Sequence, residues 1–409
     1  MDTLPLELLI QVIGFASLDA FKETPLAVHP HLAVPLSHVC RRWRNATLNV
    51  SSFWCIVYNW YSRDLVLACL ARSRALPLRI RVDLATVDAH QWFIDLLPTT
   101  MYRAYSLCIR QLGRCKDPRG MLSKILPALH RPAPCLKEFT IDIDVRNPIF
   151  LPIIFSGKTP TLRHLSFRSI LWSPGNIFKG LTYLELLSGS RAQCQCLIDV
   201  LRSNPLLETL LLSGAFPSTI AAERRIKLPR LRKLDIRDSP WTVVHRFLAQ
   251  IELPPHCQLV YITGSMAPER NDHVLTSVLP TDLTYLHPFD RPTKLILGAP
   301  YTMSLCGSNA TSCSTFEIFS SWVLDQQTFF EQSVASLIAI SQRGSLMLED
   351  VRELWLGPLG GSHIPAKPVV SPPVEMWAQL FDAMPQLETL AILPGFHFMR
   401  PARLRCARA

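Results

Sequence analysis

The chain has 409 residues, of which 48% are hydrophobic and only 18% are charged. This composition can build a sizeable core and excludes a chain that is disordered throughout. The formal net charge is +10. The basic residues are dispersed along the sequence, so we expect solvated faces and no nucleic-acid site.

The start of the chain and its most apolar stretches bear on where the protein resides. The first residues carry Asp2 and Glu7 and have no basic stretch ahead of an apolar one, unlike a secretory signal. The most apolar stretches, 149–155 and 334–340, have the length of a strand or a short helix. We therefore expect an intracellular protein, cytoplasmic or nuclear or both, without a membrane span.

Twelve cysteines are scattered through the chain, a pattern typical of reduced thiols inside the cell rather than of a disulfide framework. Cys194 and Cys196 form the closest pair, but no second Cys or His pair nearby completes a tetrahedral metal site. The sequence also lacks the glycine-rich phosphate loops of nucleotide-binding folds and the G-x-S-x-G turn of hydrolases. We expect no metal, no cofactor and no catalytic residue.

The first predicted element is a helix over residues 5–16. Apolar residues recur there at intervals of three and four and form one stripe, while Glu7 and Gln11 lie on the other side. Pro5 suits the first helical turn, and Thr3 just before it can cap the helix.

A second amphipathic helix is predicted over residues 36–50, with apolar residues from Leu36 to Val50 on one face and Arg41, Arg42 and Arg44 on the other. A dense apolar block follows at residues 53–58, after two serines that can cap or turn the chain. Three short helices around a shared core account for this pattern.

Residues 4–57 resemble the F-box family. LPLELLIQVIGFAS supplies the L-P-x-E-L-L opening, PLSHVCRRWRNATLNVSSFWCIV supplies the V-C-R-x-W centre, and Trp54 follows where the family usually has a tryptophan. The connection between the two signatures is longer than the minimal one, and Ser52 stands where Pro is common. Both departures bear on loop geometry.

The resemblance implies docking to the Skp-family linker subunit of a cullin-RING ubiquitin ligase. It implies a first docking surface made by Leu4, Pro5, Leu8, Val12 and Ile13, and a second made by Val39, Cys40 and Trp43. Trp43 in particular could instead serve the core of the module.

Beyond residue 60, helical stretches alternate with short apolar runs of β type. Helices are predicted over 65–70, 91–97, 194–201, 243–251, 329–340 and 374–384. Between them recur hexads of the type L-x-x-L-x-[LIF], regular from Leu162, Leu181, Leu207, Leu231 and Leu387, and looser from Ala104, Leu136, Cys313 and Val351.

In a leucine-rich repeat, such a hexad is a short strand whose leucines point inward while the residues between them face the concave side. This predicts an exposed sheet lined by Arg163, Thr182, Glu208, Arg232 and Glu388, where a partner protein could bind. Repeat-like tails of this kind follow many F-box modules, notably in mushroom-forming fungi, so the resemblance favours this interpretation.

The expected architecture is α+β or α/β. It comprises a small three-helix F-box domain at 1–60, an irregular leucine-rich-repeat-like α/β solenoid at 61–398, and a basic tail without fixed structure at 399–409. A Pro-containing loop at 358–373 is a candidate mobile insertion. The alternative for the long part is a doubly wound α/β domain, which also alternates strands with helices.

The expected function is that of a non-catalytic adaptor. It would be the substrate-recognition subunit of a Skp-cullin-F-box ubiquitin ligase and would hold a target protein.

Three alternatives stay open at this stage. One is a repeat scaffold that binds protein without a ligase role. A second is nucleic-acid binding, suggested by the net charge and by Trp92, Tyr102 and Tyr105. The third is an enzyme around His287 and Asp290, which lack a third orienting group in the sequence.

Overall fold

The computed structural model describes residues 5–19, 31, 33–113, 115–187, 197–214, 225–264, 278–280, 282–298, 303–309, 314–320, 326–342, 346, 348–357, 369–370, 372–392 and 398–399. The chain divides into two compact units, unit 1 (Met1–Leu181) and unit 2 (Thr182–Ala409). Both units are mixed α/β, and the strands of each pair mostly in parallel. The mixed α/β class is therefore confirmed, while the solenoid stays a prediction.

The described helices of unit 1 precede or separate its strands. They are α1 (Leu6–Asp19), α2 (Ala33–Ser37), α3 (Arg41–Asn49), α4 (Arg63–Arg72), α5 (Gln91–Thr100) and α6 (Pro118–Leu129). Local sequence explains two of the starts. Ser62 accepts a hydrogen bond from the Leu65 N–H at the start of α4, and Asp117 accepts one from the Gly120 N–H at the start of α6.

The predicted single helix over 36–50 is wrong, because the chain turns between α2 and α3. Cys40 is extended (φ −160°, ψ 172°) and stands at the N-cap of α3. The turn is held by Arg44, whose Nε donates to the Ser37 carbonyl at 3.0 Å and so satisfies a backbone group at the end of α2. An apolar stripe with three- and four-residue spacing continues across such a turn, so the sequence pattern did not reveal it.

The predicted third helix is also only partly correct. Residues 51–54 form a single 3₁₀ turn, and Ile56–Tyr58 form strand β1. This strand pairs with β2 (Leu78–Asp83), although it lies inside the segment that the sequence assigned to the F-box domain. The compact units divide at Leu181, and a domain boundary at residue 60 stays a prediction.

The main strands of unit 1 pair side by side in chain order. After β1 and β2 come β3 (Ala104–Arg110), β4 (Glu138–Asp142), β5 (Ile149–Leu151), β6 (His164–Arg168) and β7 (Ile170–Trp172). All neighbours in the series β1, β2, β3, β4 and β6 are parallel, while β5 pairs separately with β7.

The register of these strands aligns the buried hexad positions. Leu107 lies opposite Phe139, and Phe139 lies opposite Leu165, all of them fully buried. Side chains alternate between the two faces of a strand, so the residues between them project to the other face. That face, which is less covered, is called the open face below.

Unit 2 repeats the alternation with more irregular connections. Its described helices are α7 (Leu197–Arg202), α8 (Trp241–Leu248), α9 (Gln326–Gln342) and α10 (Val374–Asp382). Its strands are β8 (Tyr183–Leu187), β9 (Thr209–Ser213), β10 (Ile226–Lys227), β11 (Lys233–Ser239), β12 (Ile251–Glu252), β13 (Leu259–Gly264), β14 (Lys294–Gly298), β15 (Met303–Asn309), β16 (Ser314–Ser320), β17 (Glu353–Leu356), β18 (Val369–Val370), β19 (Thr389–Ile392) and β20 (Phe398–Met399).

Strands β14, β15 and β16 of unit 2 depart from the chain order that a simple repeat array follows. β8, β9, β11 and β13 are neighbours in chain order and parallel, and β16 is parallel to β13. β15 then runs antiparallel between β16 and β14, and β14 continues in parallel to β17 and β19. The hexads all lie at strands, but they do not predict this antiparallel insertion.

Several expectations concern residues outside the described part of the chain. Most of the 358–373 loop, the Cys194 and Cys196 pair, and residues 400–409 of the tail are among these. Met399 lies in β20. Among the described helices, none combines the length and the apolar character needed to cross a membrane.

Candidate docking surface

Helix α1 divides its apolar side chains between two sides. Leu9 and Ile13 are spaced by four residues, are only 3% and 2% exposed, and form a buried cluster with Ala46 of α3. Leu36, Trp43 and Phe53 pack against this cluster and are partly buried. Residues four apart share one side of a helix, so this side of α1 serves the core of unit 1.

The other side of α1 is apolar and faces solvent. Leu8 and Val12, again spaced by four residues, are 45% and 52% exposed. Leu6, at the first residue of α1 and on the side of Ile13, is 45% exposed as well. Pro5 is exposed as well. An exposed group of this kind on one helix is a candidate for contact with another protein.

A second group of exposed apolar side chains lies on α2 and the turn that follows it. Val34 is exposed on α2, and Val39 in the turn is 58% exposed, next to the exposed Cys40. Because the chain turns between α2 and α3, Val39 and Cys40 leave the apolar stripe that the sequence had placed on one continuous helix.

Hydrogen bonds fix the helices beneath these two groups. The indole Nε1 of Trp54 donates to the Thr47 carbonyl at 2.8 Å, and both residues are buried. The Thr47 hydroxyl donates to the Trp43 carbonyl at 2.9 Å. The 3₁₀ turn at 51–54 is thereby tied to the last turn of α3.

Aromatic contacts attach the same turn to the rest of unit 1. Trp54 stacks on the His31 ring at 4.9 Å, and the Arg72 guanidinium of α4 lies over the Trp54 ring at 4.4 Å. His31 is buried, and neither of its ring nitrogens has a hydrogen-bond partner among the described residues. This burial lowers the pKa of His31 to about 4, because the charged form loses its hydration.

The structure therefore places the residues expected on the first and second docking surfaces in three different situations. Pro5, Leu8, Val12, Val39 and Cys40 are exposed. Ile13 lies in the core instead, and Trp43 is partly buried against it. Leu4 is outside the described residues. The exposed Leu6 and Val34 were missed. Leu6 lies on the same side of α1 as Leu9 and Ile13, but it is exposed at the first residue of the helix.

The second expected site was the exposed face of the repeat strands, and three of its residues are neighbours in unit 2. The Glu208 N–H donates to the Thr182 carbonyl at 2.8 Å, and the Arg232 N–H donates to the Glu208 carbonyl at 2.8 Å. Glu388 lies elsewhere in unit 2, where it pairs with Arg352 at 3.7 Å. Arg163 is exposed in unit 1 and donates to the Leu162 carbonyl.

These five residues hold the second position of their hexads, whereas the regular-hexad strands start at the third. The open face is accordingly formed by the third, fifth and seventh positions, such as Lys233, Asp235 and Arg237 on β11. Counting the period of two from the buried fourth position would have identified them.

The charges on β11 are paired within the strand. Asp235 is 2% exposed and receives two hydrogen bonds from Arg237, at 2.8 and 2.7 Å, while Lys233 lies 3.7 Å away. The hydrogen bonds that Arg237 donates to Asp235 raise the pKa of the Arg237 guanidinium. A carboxylate held in this way is structural, since both of its oxygens are already satisfied.

Groups that could carry chemistry are dispersed in the described residues. No three His, Cys, Asp or Glu side chains there converge as a metal site. His287 and Asp290 are joined by a backbone turn, in which the Asp290 N–H donates to the His287 carbonyl at 3.1 Å. The described cysteines are free, and burial raises the pKa of Cys69 and of Cys257 to about 12, so these thiols stay protonated.

A scan against protein-family models finds no match for the chain, and a comparison with curated proteins finds no match either.

Proposed function

We propose that the protein is a non-catalytic adaptor that docks to a Skp-family linker subunit of a cullin-RING ubiquitin ligase and holds a target protein on its strands. The observation that carries the proposal is the divided α1 helix. Leu9 and Ile13 anchor it in the core, while Leu8 and Val12 remain exposed. This is the arrangement that a helix needs to fold within its own chain and still present apolar surface to a partner.

The exposed groups are large enough to matter for binding. Burial of a large apolar side chain contributes roughly 1.5–3 kcal/mol when it is complete. The exposed fractions of Leu6, Leu8 and Val12 on α1 and of Val34 and Val39 on and after α2 range from 37% to 58%. Partial burial of several such side chains would stabilise a durable contact, with the polar residues around them excluding water.

The strands supply the second half of the proposal. In a leucine-rich-repeat-like arrangement, parallel strands with buried hexad positions present an open face to solvent, and such faces bind partner proteins. The parallel neighbours β2, β3, β4 and β6 in unit 1 and β8, β9, β11 and β13 in unit 2 fit this arrangement. The solenoid and the adaptor role are both part of the proposal.

The test is capture of the linker subunit by full-length protein carrying Leu8→Asp or Val12→Asp. We expect either variant to abolish co-purification, because a carboxylate would be buried without a partner at the docking contact. Leu67→Asp is the matched control. Leu67 is also a 45% exposed leucine, but it lies on α4, so its replacement should leave capture unchanged.

Equal capture by wild type and by the α1 variants would contradict the docking surface. If wild type itself captures no linker, the protein is better described as a repeat scaffold without a ligase role. Circular dichroism of each variant separates a lost contact from a lost fold.

A further inference from the structure

The net charge of the protein is confined to unit 1. Residues 1–181 contain 22 Lys and Arg against 12 Asp and Glu, whereas residues 182–409 contain 20 of each. The entire formal charge of +10 therefore belongs to unit 1. A concentration of charge of one sign attracts partners of the opposite sign.

Part of this positive charge lies around one tyrosine at the start of the strands. The Tyr105 ring has the Arg79 guanidinium at 5.7 Å and the Lys137 ammonium at 5.2 Å. Arg79 projects from β2 to the open face, because the next residue, Ile80, is buried on the other. Neither cation makes an ion pair with a carboxylate among the described residues.

A second excess of positive charge lies at the ends of the same strands. The register sets Arg110 of β3 opposite Asp142 of β4, and Asp142 opposite Arg168 of β6. Asp142 lies 3.9 Å from Arg110 and 3.1 Å from Arg168, and both arginine side chains are at least one-third exposed. One carboxylate cannot neutralise two guanidinium groups, so a net positive charge remains.

The cations on β11 and β14 of unit 2 have carboxylate partners, unlike Arg79 and Lys137 in unit 1. Asp235 forms an ion pair with Arg237 and also lies near Lys233. Lys294 of β14 pairs with Glu353 of β17 at 3.2 Å. Cations that are already paired are less available to a ligand, since binding would have to break the existing pair.

We propose that the open face of β2, β3, β4 and β6, together with its edge where the strands begin, binds an acidic segment of the target protein. Arg79 and Lys137, the residue just before β4, meet at Tyr105 on this edge, and Arg110 and Arg168 lie at the other end of the strands. This inference rests on the proposed function for its biological meaning, because it assigns the chemical class of the target. Tyr105 provides an apolar ring between the first two cations, against which a peptide side chain can pack.

The same face is less suited to nucleic acid. Glu138 projects from β4 beside Lys137, and Asp142 lies between the two arginines. Interspersed carboxylates repel a continuous phosphate backbone, which places one negative charge at every nucleotide. A peptide carries its carboxylates singly and can align them with separate cations.

The test measures binding of a fluorescent peptide of alternating Glu and Ser to the full-length protein. A peptide of alternating Lys and Ser and an oligouridine RNA of equal length are the comparison probes.

The face variant is Arg79→Glu with Lys137→Glu. The matched control is Arg63→Glu with Arg131→Glu, which changes the net charge equally at exposed residues outside the strands. We expect the acidic peptide to bind wild type and control alike and to bind the face variant at least about tenfold more weakly, because reversed charges repel it. Its affinity should fall as salt rises.

Equal weakening in both variants would overturn the inference in favour of a general effect of net charge. Tighter binding of the RNA than of the acidic peptide would replace the inference with nucleic-acid binding. Absence of binding by the acidic peptide would refute the inference. If the charge-reversed variant unfolds, binding of the acidic peptide is measured instead with the milder pair, Arg79→Gln with Lys137→Gln.

Linker capture by the same preparations keeps the two proposals separate. Capture without peptide binding refutes only the site for an acidic peptide, and peptide binding without capture refutes only the ligase role.

Discussion

The helical segment at residues 5–54 and the strands that follow it in unit 1 treat their apolar residues differently. In β4, Phe139 and Ile141 are fully buried, and the charged or polar residues alternate with them on the open face. In α1, two apolar side chains are buried while three of comparable size remain exposed. The strands bury their apolar residues, whereas α1 leaves some of its apolar residues exposed.

This difference teaches that apolar periodicity alone does not identify core residues. The stripe on α1 is wide enough to cover two sides of the helix, and only the position of α3 decides which side is buried. We therefore expect mutations of equal size to have very different effects on stability in the two regions.

The largest effect is expected for Phe139→Ala in β4. Phe139 contacts the rings of Phe155 at 5.1 Å and Phe167 at 5.5 Å. Its truncation should lower the free energy of unfolding of unit 1 by about 3–5 kcal/mol, through lost burial and the cavity that remains. Urea denaturation measures the loss. Phe150→Ala is the control, since Phe150 is 60% exposed on β5, and an equally large loss there would contradict the contrast.

A smaller, pH-dependent effect is expected at the junction between the helical segment and the strands. The pKa of His31 is lowered by burial to about 4, whereas an unfolded histidine has a pKa of about 6.5. Between these values the unfolded state binds more protons than the folded state. Stability is therefore complete above pH 6.5 and declines as the pH falls towards 4, by about 3 kcal/mol in total.

The comparison that isolates His31 is the His31→Phe variant, which keeps an aromatic ring against Trp54 but cannot take up a proton. Its free energy of unfolding should depend less on pH than that of wild type over this range. Identical pH dependence in the two proteins would mean that His31 is not buried in its neutral form.

A still smaller effect is expected at the first strands, where Asn59, just after β1, bonds to β2. Its amide donates to the Asp83 carbonyl at 2.9 Å and accepts from the Asp83 N–H at 2.9 Å, and the residue is fully buried. Asn59→Ala leaves both backbone groups of Asp83 unpaired and should lower the free energy of unfolding by about 2 kcal/mol. Hydrogen exchange of the β2 amides measures this loss, with the exposed Asn49→Ala as control.

The smallest effect on stability is expected for Leu8→Ala or Val12→Ala. Exposed side chains contribute little to the fold, so the free energy of unfolding should change by no more than about 0.5 kcal/mol. Leu9→Ala on the buried side should lower it by about 2–5 kcal/mol. A large loss for Leu8→Ala would show that this side of α1 is covered and would weaken the docking proposal.

A related contrast appears among the hexads themselves. The looser hexad from Leu136 and the regular hexad from Leu387 both form strands. Phe139 and Ile141 are fully buried in the first, whereas Leu390 and Ile392 are 47% and 56% exposed in the second. The pattern predicts the strand, but burial requires a neighbouring element to cover it.

Much of the secondary structure was predictable from the sequence. The α1 helix, the helices at 65–70, 91–97 and 329–340, and a strand at each hexad follow from periodicity, because side-chain spacing reflects how each backbone repeats. The turn at Cys40 was not predictable, since its stabilising bond joins the Arg44 side chain to a backbone carbonyl seven residues earlier. The strands at 259–264 and 303–309 were also missed.

By itself the sequence determined most of the helices, a strand at each hexad and the residues that resemble the F-box signature. Only the tertiary structure decided that Ile13 is buried while Val12 is exposed, and that Arg79 and Lys137 meet at Tyr105. The physical reason is that local backbone geometry depends on neighbours in the chain. Exposure and the grouping of charges depend on contacts between residues far apart in sequence, and a single sequence does not record those contacts.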